Sequence, residues 1–116
     1  MGLEEERLDA IRTIILEHKG KNNPIRASKI SHMLNIPEND TVPTTRKLIT
    51  KLILNEEMPI AASGEGYFYI ENQKELADYM EYLDERIRQT TNRKVKVFSN
   101  FQGKYGKAKL SRLDDF

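Results

Sequence analysis

Residues 58–70, "MPIAASGEGYFYI", are the stretch that most restricts what this chain can become. "PIAAS" and "YFYIE" are short runs of the extended kind, and "GEG" between them supplies the backbone freedom of a tight turn. Two strands alone are marginal in water, so such a ribbon must lean on helices or borrow a further strand. The rest of the chain is dominated by helical patterns, and 116 residues suffice for one domain with a modest core. The expected class is therefore α+β, a small antiparallel ribbon closing a helical unit.

The helices follow from the spacing of apolar residues. Leu8, Ile11, Ile14 and Ile15 share one face of a first helix over 3–19, with acids in its first turn where the helix dipole favours them. Gly20 stops it, and "PIRA" at 24–27 is a brief extended piece able to pair with a sheet edge. A second helix over 27–34 turns Ile30, Met33 and Leu34 inward. After "NIPENDTVP", Asp40 or Thr41 is the expected cap of a third helix over 42–54, with Pro43 in its first turn. Val42, Thr45, Ile49 and Leu52 face inward there, with Ile53 beside them. The other side shows Thr44, Arg46, Lys47, Thr50 and Lys51, a surface of hydroxyls and cations suited to base edges and phosphates. A solvated helix face would look the same in isolation, and the neighbouring hairpin is what favours the binding reading.

Charge is segregated even though the formal net charge is only +1. Residues 19–51 carry Lys19, Lys21, Arg26, Lys29, Arg46, Lys47 and Lys51 against Glu38 and Asp40. Residues 93–116 carry Arg93, Lys94, Lys96, Lys104, Lys107, Lys109 and Arg112 against Asp114 and Asp115. A phosphate backbone responds to such local potential rather than to the sum over the chain.

A three-helix unit closed by a small sheet is the winged helix-turn-helix arrangement. "IRASKISHMLNI", "TTRKLITKLI" and "MPIAASGEGYFYI" together resemble the winged helix at the N-terminus of biotin-ligase repressors. They are still more similar to small winged-helix proteins of phages and mobile elements, whose hairpin reads Pro-Ile, a turn, and Gly-Tyr-Phe or Gly-Tyr-Tyr. The resemblance spans roughly residues 8–90, and its most specific part is Pro59-Ile60 to Gly66-Tyr67-Phe68 combined with "TTRKLI". "PENDTVP" departs from the compact pattern by three or four added residues, which leaves the angle of the third helix open. The resemblance implies DNA binding through the third helix and the wing. The expected contacts are Lys29, Thr44, Thr45, Arg46, Lys47, Thr50 and Lys51, with Ser63, Gly64, Gly66 and Tyr67 forming the wing near the minor groove. Glu65 at the wing tip is an unhelpful charge for that role.

Residues 1–71 thus form the expected winged-helix domain, and residues 72–92 an added helix. Asn72 caps that helix and Glu75 completes a capping-box-like start. Leu76, Met80, Leu83 and Ile87 form a seam of under two heptads, too short to associate strongly alone. It either docks on the first helix or pairs with a second copy to make a homodimer. Residues 93–116 read as a basic tail without helical or strand period. Its Arg93, Lys94, Lys96, Lys104 and Lys107 would attract nucleic acid, and Phe98, Phe101 and Tyr105, interleaved with lysines, could stack on exposed bases. The terminal "LDDF" has a faint likeness to the acidic, phenylalanine-ended tip of single-stranded-DNA-binding proteins.

Several chemistries are absent from the sequence. There is no cysteine, hence no disulfide, thiolate ligand or cysteine nucleophile. His18 and His32 sit on different elements with no carboxylate in metal-ligand spacing, so neither a metal nor a cofactor is expected. "GEGYF" opens a strand rather than a helix and lacks the dipole that cradles phosphate. Ser28, Ser31 and Ser63 lack the strand-to-helix turn of a nucleophile, and no catalytic residues are expected. No apolar run approaches a membrane span and "MGLEEERLDA" is no signal peptide, so a cytoplasmic location in a bacterial host is the expectation. Two functions follow: a phage or mobile-element DNA-binding regulator or replication-origin factor on double-stranded DNA, or a winged-helix module that binds a protein partner, such as an inhibitor of a host enzyme.

Overall fold

The computed structural model describes residues 2–106. The elements run α1 (Leu3–Leu16), α2 (Ala27–Met33), α3 (Pro43–Asn55), β1 (Ile60–Ser63), β2 (Gly66–Tyr69) and α4 (Gln73–Tyr105). Among the described residues the chain is α+β, four helices with one two-stranded antiparallel hairpin, an architecture compatible with a winged helix. Contacts divide it into two units, Met1–Ala77 and Asp78–Phe116.

In the first unit the apolar faces meet as their spacing requires. Ile11 and Ile15 of α1, Ile30 of α2, and Ile49 and Leu52 of α3 form the fully buried centre, with Ile25, Met58 and Ile60 around them. Burying each such side chain contributes roughly 1.5–3 kcal/mol. Three expectations on these faces need correction. Met33 and Ile53 are exposed, because each lies just past the edge of its helix's buried arc. Leu48, not expected inside, is buried, since it lies about 40° from Leu52 on the helical wheel and widens the inward arc.

α2 ends in a Schellman motif. Asn35 takes a left-handed φ of 52°, its N–H bonds the His32 carbonyl at 3.2 Å, and the Ile36 N–H bonds the Ser31 carbonyl at 3.0 Å. Neither Asp40 nor Thr41 caps α3. Val42 occupies the cap position with φ 46°, unusual for a β-branched residue, and offers no side-chain bond. The capping groups come instead from Glu38, as described below.

The hairpin pairs Ile60 with Tyr69 and Ser63 with Gly66 around a two-residue turn. The expected third strand is reduced to single bridges. Ile25 and Tyr67 exchange two backbone hydrogen bonds of 2.8 Å, and Tyr69 receives the Gly20 N–H and donates to the His18 carbonyl, both at 2.9 Å. Of the two turn glycines only Gly66 has a positive φ, 132°. A methyl there would lie 2.5 Å from the Ile25 carbonyl carbon and oxygen.

α4 begins as expected with Asn72, whose side-chain oxygen accepts the Glu75 N–H at 2.9 Å. Glu75 does not return the bond to Asn72 in capping-box fashion. Its carboxylate accepts the N–H groups of Glu71 at 2.9 Å and Lys21 at 2.8 Å. The division between a helix ending at 92 and an irregular tail is overturned. α4 continues for 33 residues to Tyr105, so Arg93, Lys94, Lys96 and Lys104 are helical, while Lys107 and the terminal "LDDF" lie outside the described residues. No residue of α4 is buried, and no helix among the described residues is long and apolar enough to cross a membrane.

Candidate nucleic-acid interface

The candidate interface centres on α3, whose start is fixed by a single carboxylate. Glu38 accepts the Ser31 hydroxyl at 2.6 Å, the Thr45 hydroxyl at 2.5 Å, and the N–H groups of Thr44 and Thr45 at 2.6 and 3.3 Å. It therefore satisfies first-turn donors of α3 while gripping α2. Partial burial raises its carboxyl pKa, but the four hydrogen bonds to the ionised form outweigh this, and the net shift is downward. In the sequence Glu38 stands out only as one of two acids among the cations of 19–51. An acid a few residues before a proline-started helix was the available signal.

This arrangement corrects one expected contact outright. Thr45 is fully buried with its hydroxyl committed to Glu38, so it is a structural residue and cannot reach a ligand. Thr44 is half-buried and lends its backbone N–H to the same carboxylate. Lys51 is exposed but ion-paired with Glu4 of α1, which places it at the far edge of the face. Thr50 returns its hydroxyl to the Arg46 carbonyl at 3.0 Å. Lys47 and Lys29 are exposed and make no ion pair among the described residues.

Arg46 is the best-positioned cation. Its Nε donates to the Thr41 carbonyl at 2.9 Å and its Nη1 to the Tyr67 hydroxyl at 3.3 Å, so the side chain spans from α3 to the hairpin. Both partners are neutral, and the guanidinium keeps unused donors and its full charge. It lines a cleft of about 200 Å³ between α2, α3 and the hairpin, with Arg26, Ser28, Ser63, Gly64, Gly66 and Tyr67. Five expected site residues, Arg46, Ser63, Gly64, Gly66 and Tyr67, thus converge on one place. Arg26 was not anticipated; only its position between the bridge residue Ile25 and the start of α2 could have pointed to it. Two arginines and two serine hydroxyls around a narrow cleft can hold a phosphate or a guanine edge.

Lys29 lines a neighbouring cavity of about 540 Å³ together with His18, His32, Arg26 and Glu65. Glu65, from the hairpin turn, puts an acidic side chain on the wall of that cavity. His18 Nδ1 lies 3.0 Å from the Asn23 carbonyl. No cluster of three or more histidines and carboxylates that could hold a metal occurs among the described residues.

The basic segment expected to interleave rings with lysines does so only at Lys94, which shares the ring-bearing side. As a helix it puts Phe98, Phe101 and Tyr105 on one side, with the Phe101 and Tyr105 rings 4.9 Å apart, and turns Lys96 and Lys104 elsewhere. No family model, no curated protein and no solved structure matches this chain.

Proposed function

We propose that the first unit is a winged helix that binds double-stranded DNA, with α3 in the major groove and the hairpin as the wing, in the manner of a small phage or mobile-element regulator or origin factor. The observation that carries this reading is Arg46, extended between the Thr41 carbonyl and the Tyr67 hydroxyl, at a cleft shared with Arg26. An arginine held in a fixed direction by neutral partners loses little side-chain freedom on meeting a phosphate or a base edge. Lys47 and Lys29 supply backbone contacts around it, and Arg93 and Lys96 add non-specific attraction.

The test is a titration of labelled duplex by fluorescence anisotropy. Arg46→Ala is expected to lose about 1–3 kcal/mol of binding free energy, and Lys47→Ala a smaller amount that shrinks as salt rises. Lys51→Ala, already satisfied by Glu4, is expected to change affinity least. Wild-type affinity in both the Arg46 and Lys47 variants sinks the recognition-helix reading.

The protein-binding alternative draws support from Leu54 and Ile53, 73% and 38% exposed at the end of the same face. It predicts salt-insensitive binding to a protein partner and negligible retention on DNA resin at low salt.

A further inference from the structure

The second unit carries an apolar stripe whose residues all keep solvent exposure among the described residues. On α4, Met80, Leu83, Ile87, Phe98, Phe101 and Tyr105 fall within an arc of about 60° at 100° per residue. None is buried; Ile87 is 64% and Phe101 50% exposed. Interrupted only by Thr90, Thr91 and Lys94, the stripe extends a four-residue seam to about four heptads, a length at which helix pairing is stable.

Two features of the helix select its occupant. The first is charge. Asp78, Glu81, Asp84 and Glu85 crowd the stretch before Arg86 with no cation among them. From Arg86 to Tyr105 the helix carries Arg86, Arg88, Arg93, Lys94, Lys96 and Lys104 and no acid. Such a helix complements a copy of itself only when the copy runs the opposite way, since a parallel copy sets like charges side by side.

The second feature is spacing. The stripe is mirror-symmetric about the peptide joining Thr90 and Thr91. Equidistant from that point lie Ile87 and Lys94, Leu83 and Phe98, Met80 and Phe101, and, at the ends of the helix, Leu76 and Tyr105. A two-fold axis there sets an apolar residue against an apolar residue at every level but the innermost ones. At those, the Lys94 stem lies along Ile87 with its ammonium reaching out, and small hydroxyl side chains meet at the centre.

We propose that α4 pairs with α4 of a second copy as an antiparallel two-helix seam centred between Thr90 and Thr91. Lys94 then serves the seam rather than nucleic acid. The pairing is independent of the DNA-binding reading and is tested without DNA. Analytical ultracentrifugation of the full chain at tens of micromolar is expected to show a dimer, and Ile87→Asp to weaken association about a hundredfold.

The cysteine-free sequence makes orientation directly readable. Thr90→Cys lies beside its own copy across the axis and is expected to form an intermolecular disulfide under mild oxidation. Met80→Cys lies about 30 Å from its own copy and is expected to stay reduced, yet to cross-link when mixed with Phe101→Cys. A wild-type chain that sediments as a monomer, an Ile87→Asp chain that remains dimeric, or self-linking of Met80→Cys as complete as that of Thr90→Cys overturns the proposal.

Discussion

Replacing Gly66 by Ala is expected to lower the unfolding free energy of the first unit by about 3–5 kcal/mol. The two causes act together. The φ of 132° is one that residues with a Cβ rarely adopt, and the added methyl would sit 2.5 Å from the Ile25 carbonyl and 2.9 Å from the Arg26 nitrogen. Neither obstacle is the end of a flexible side chain, so the hairpin must move off the 25–26 segment. That motion breaks the paired Ile25–Tyr67 bonds and opens the cleft that Arg26, Arg46 and Tyr67 share. Gly64→Ala is the control. Its φ is not positive and nothing lies within 4 Å of the new methyl, so a change within about 0.5 kcal/mol is expected. Urea denaturation of both variants checks this, and equal effects would refute it.

The second large effect is at Glu38. Glu38→Ala removes the acceptor for two hydroxyls and two first-turn N–H groups, and is expected to cost about 2–4 kcal/mol. The loss concentrates at the start of α3, so the slope of Arg46 across the cleft should change and DNA affinity should fall with stability. Glu38→Gln keeps the shape and is expected to recover part of the stability.

pH dependence follows from the sign of the shift. Hydrogen bonding holds the Glu38 carboxyl below its ordinary value of 4.5 against the opposing effect of burial. A depressed folded-state pKa means that the stabilisation is complete above the unfolded value and is lost as pH falls through the folded one. Glu75, lowered by the N–H groups of Lys21 and Glu71, acts in the same direction and window. The difference between wild type and Glu38→Gln therefore isolates Glu38. Acid melts of the two chains should converge as the pH falls through the lowered folded-state value of Glu38.

The sequence exposed what rests on periodicity and hid what rests on reach. Helical spacing located α1, α2 and α3 to within a few residues, and the glycine turn located the hairpin, because both signals are local. Glu38 was hidden because the three residues that give its four hydrogen bonds lie six or seven positions away in either direction, a distance no short motif covers. Thr45 was counted as a contact because a threonine on a basic helix looks like a donor; its burial and its bond to Glu38 depend on the folded chain. The length of α4 was obscured by Thr90, Thr91, Asn92, Val95, Val97 and Gly103, all weak helix formers. The spacing of Phe98, Phe101 and Tyr105 was nonetheless helical.

The bridges from Tyr67 and Tyr69 to the 18–25 stretch have a kinetic consequence. They join parts of the chain separated by more than forty residues, so closing them requires ordering a long loop before any contact rewards it. The α1–α3 packing spans comparable separations, as in the Arg12–Glu56 and Lys51–Glu4 pairs, so the helical body shares this cost with the ribbon. The groove beside Arg46 therefore has its second wall only once the chain has been made past the hairpin, and a nascent chain stalled before residue 66 lacks the ligand-gripping edge.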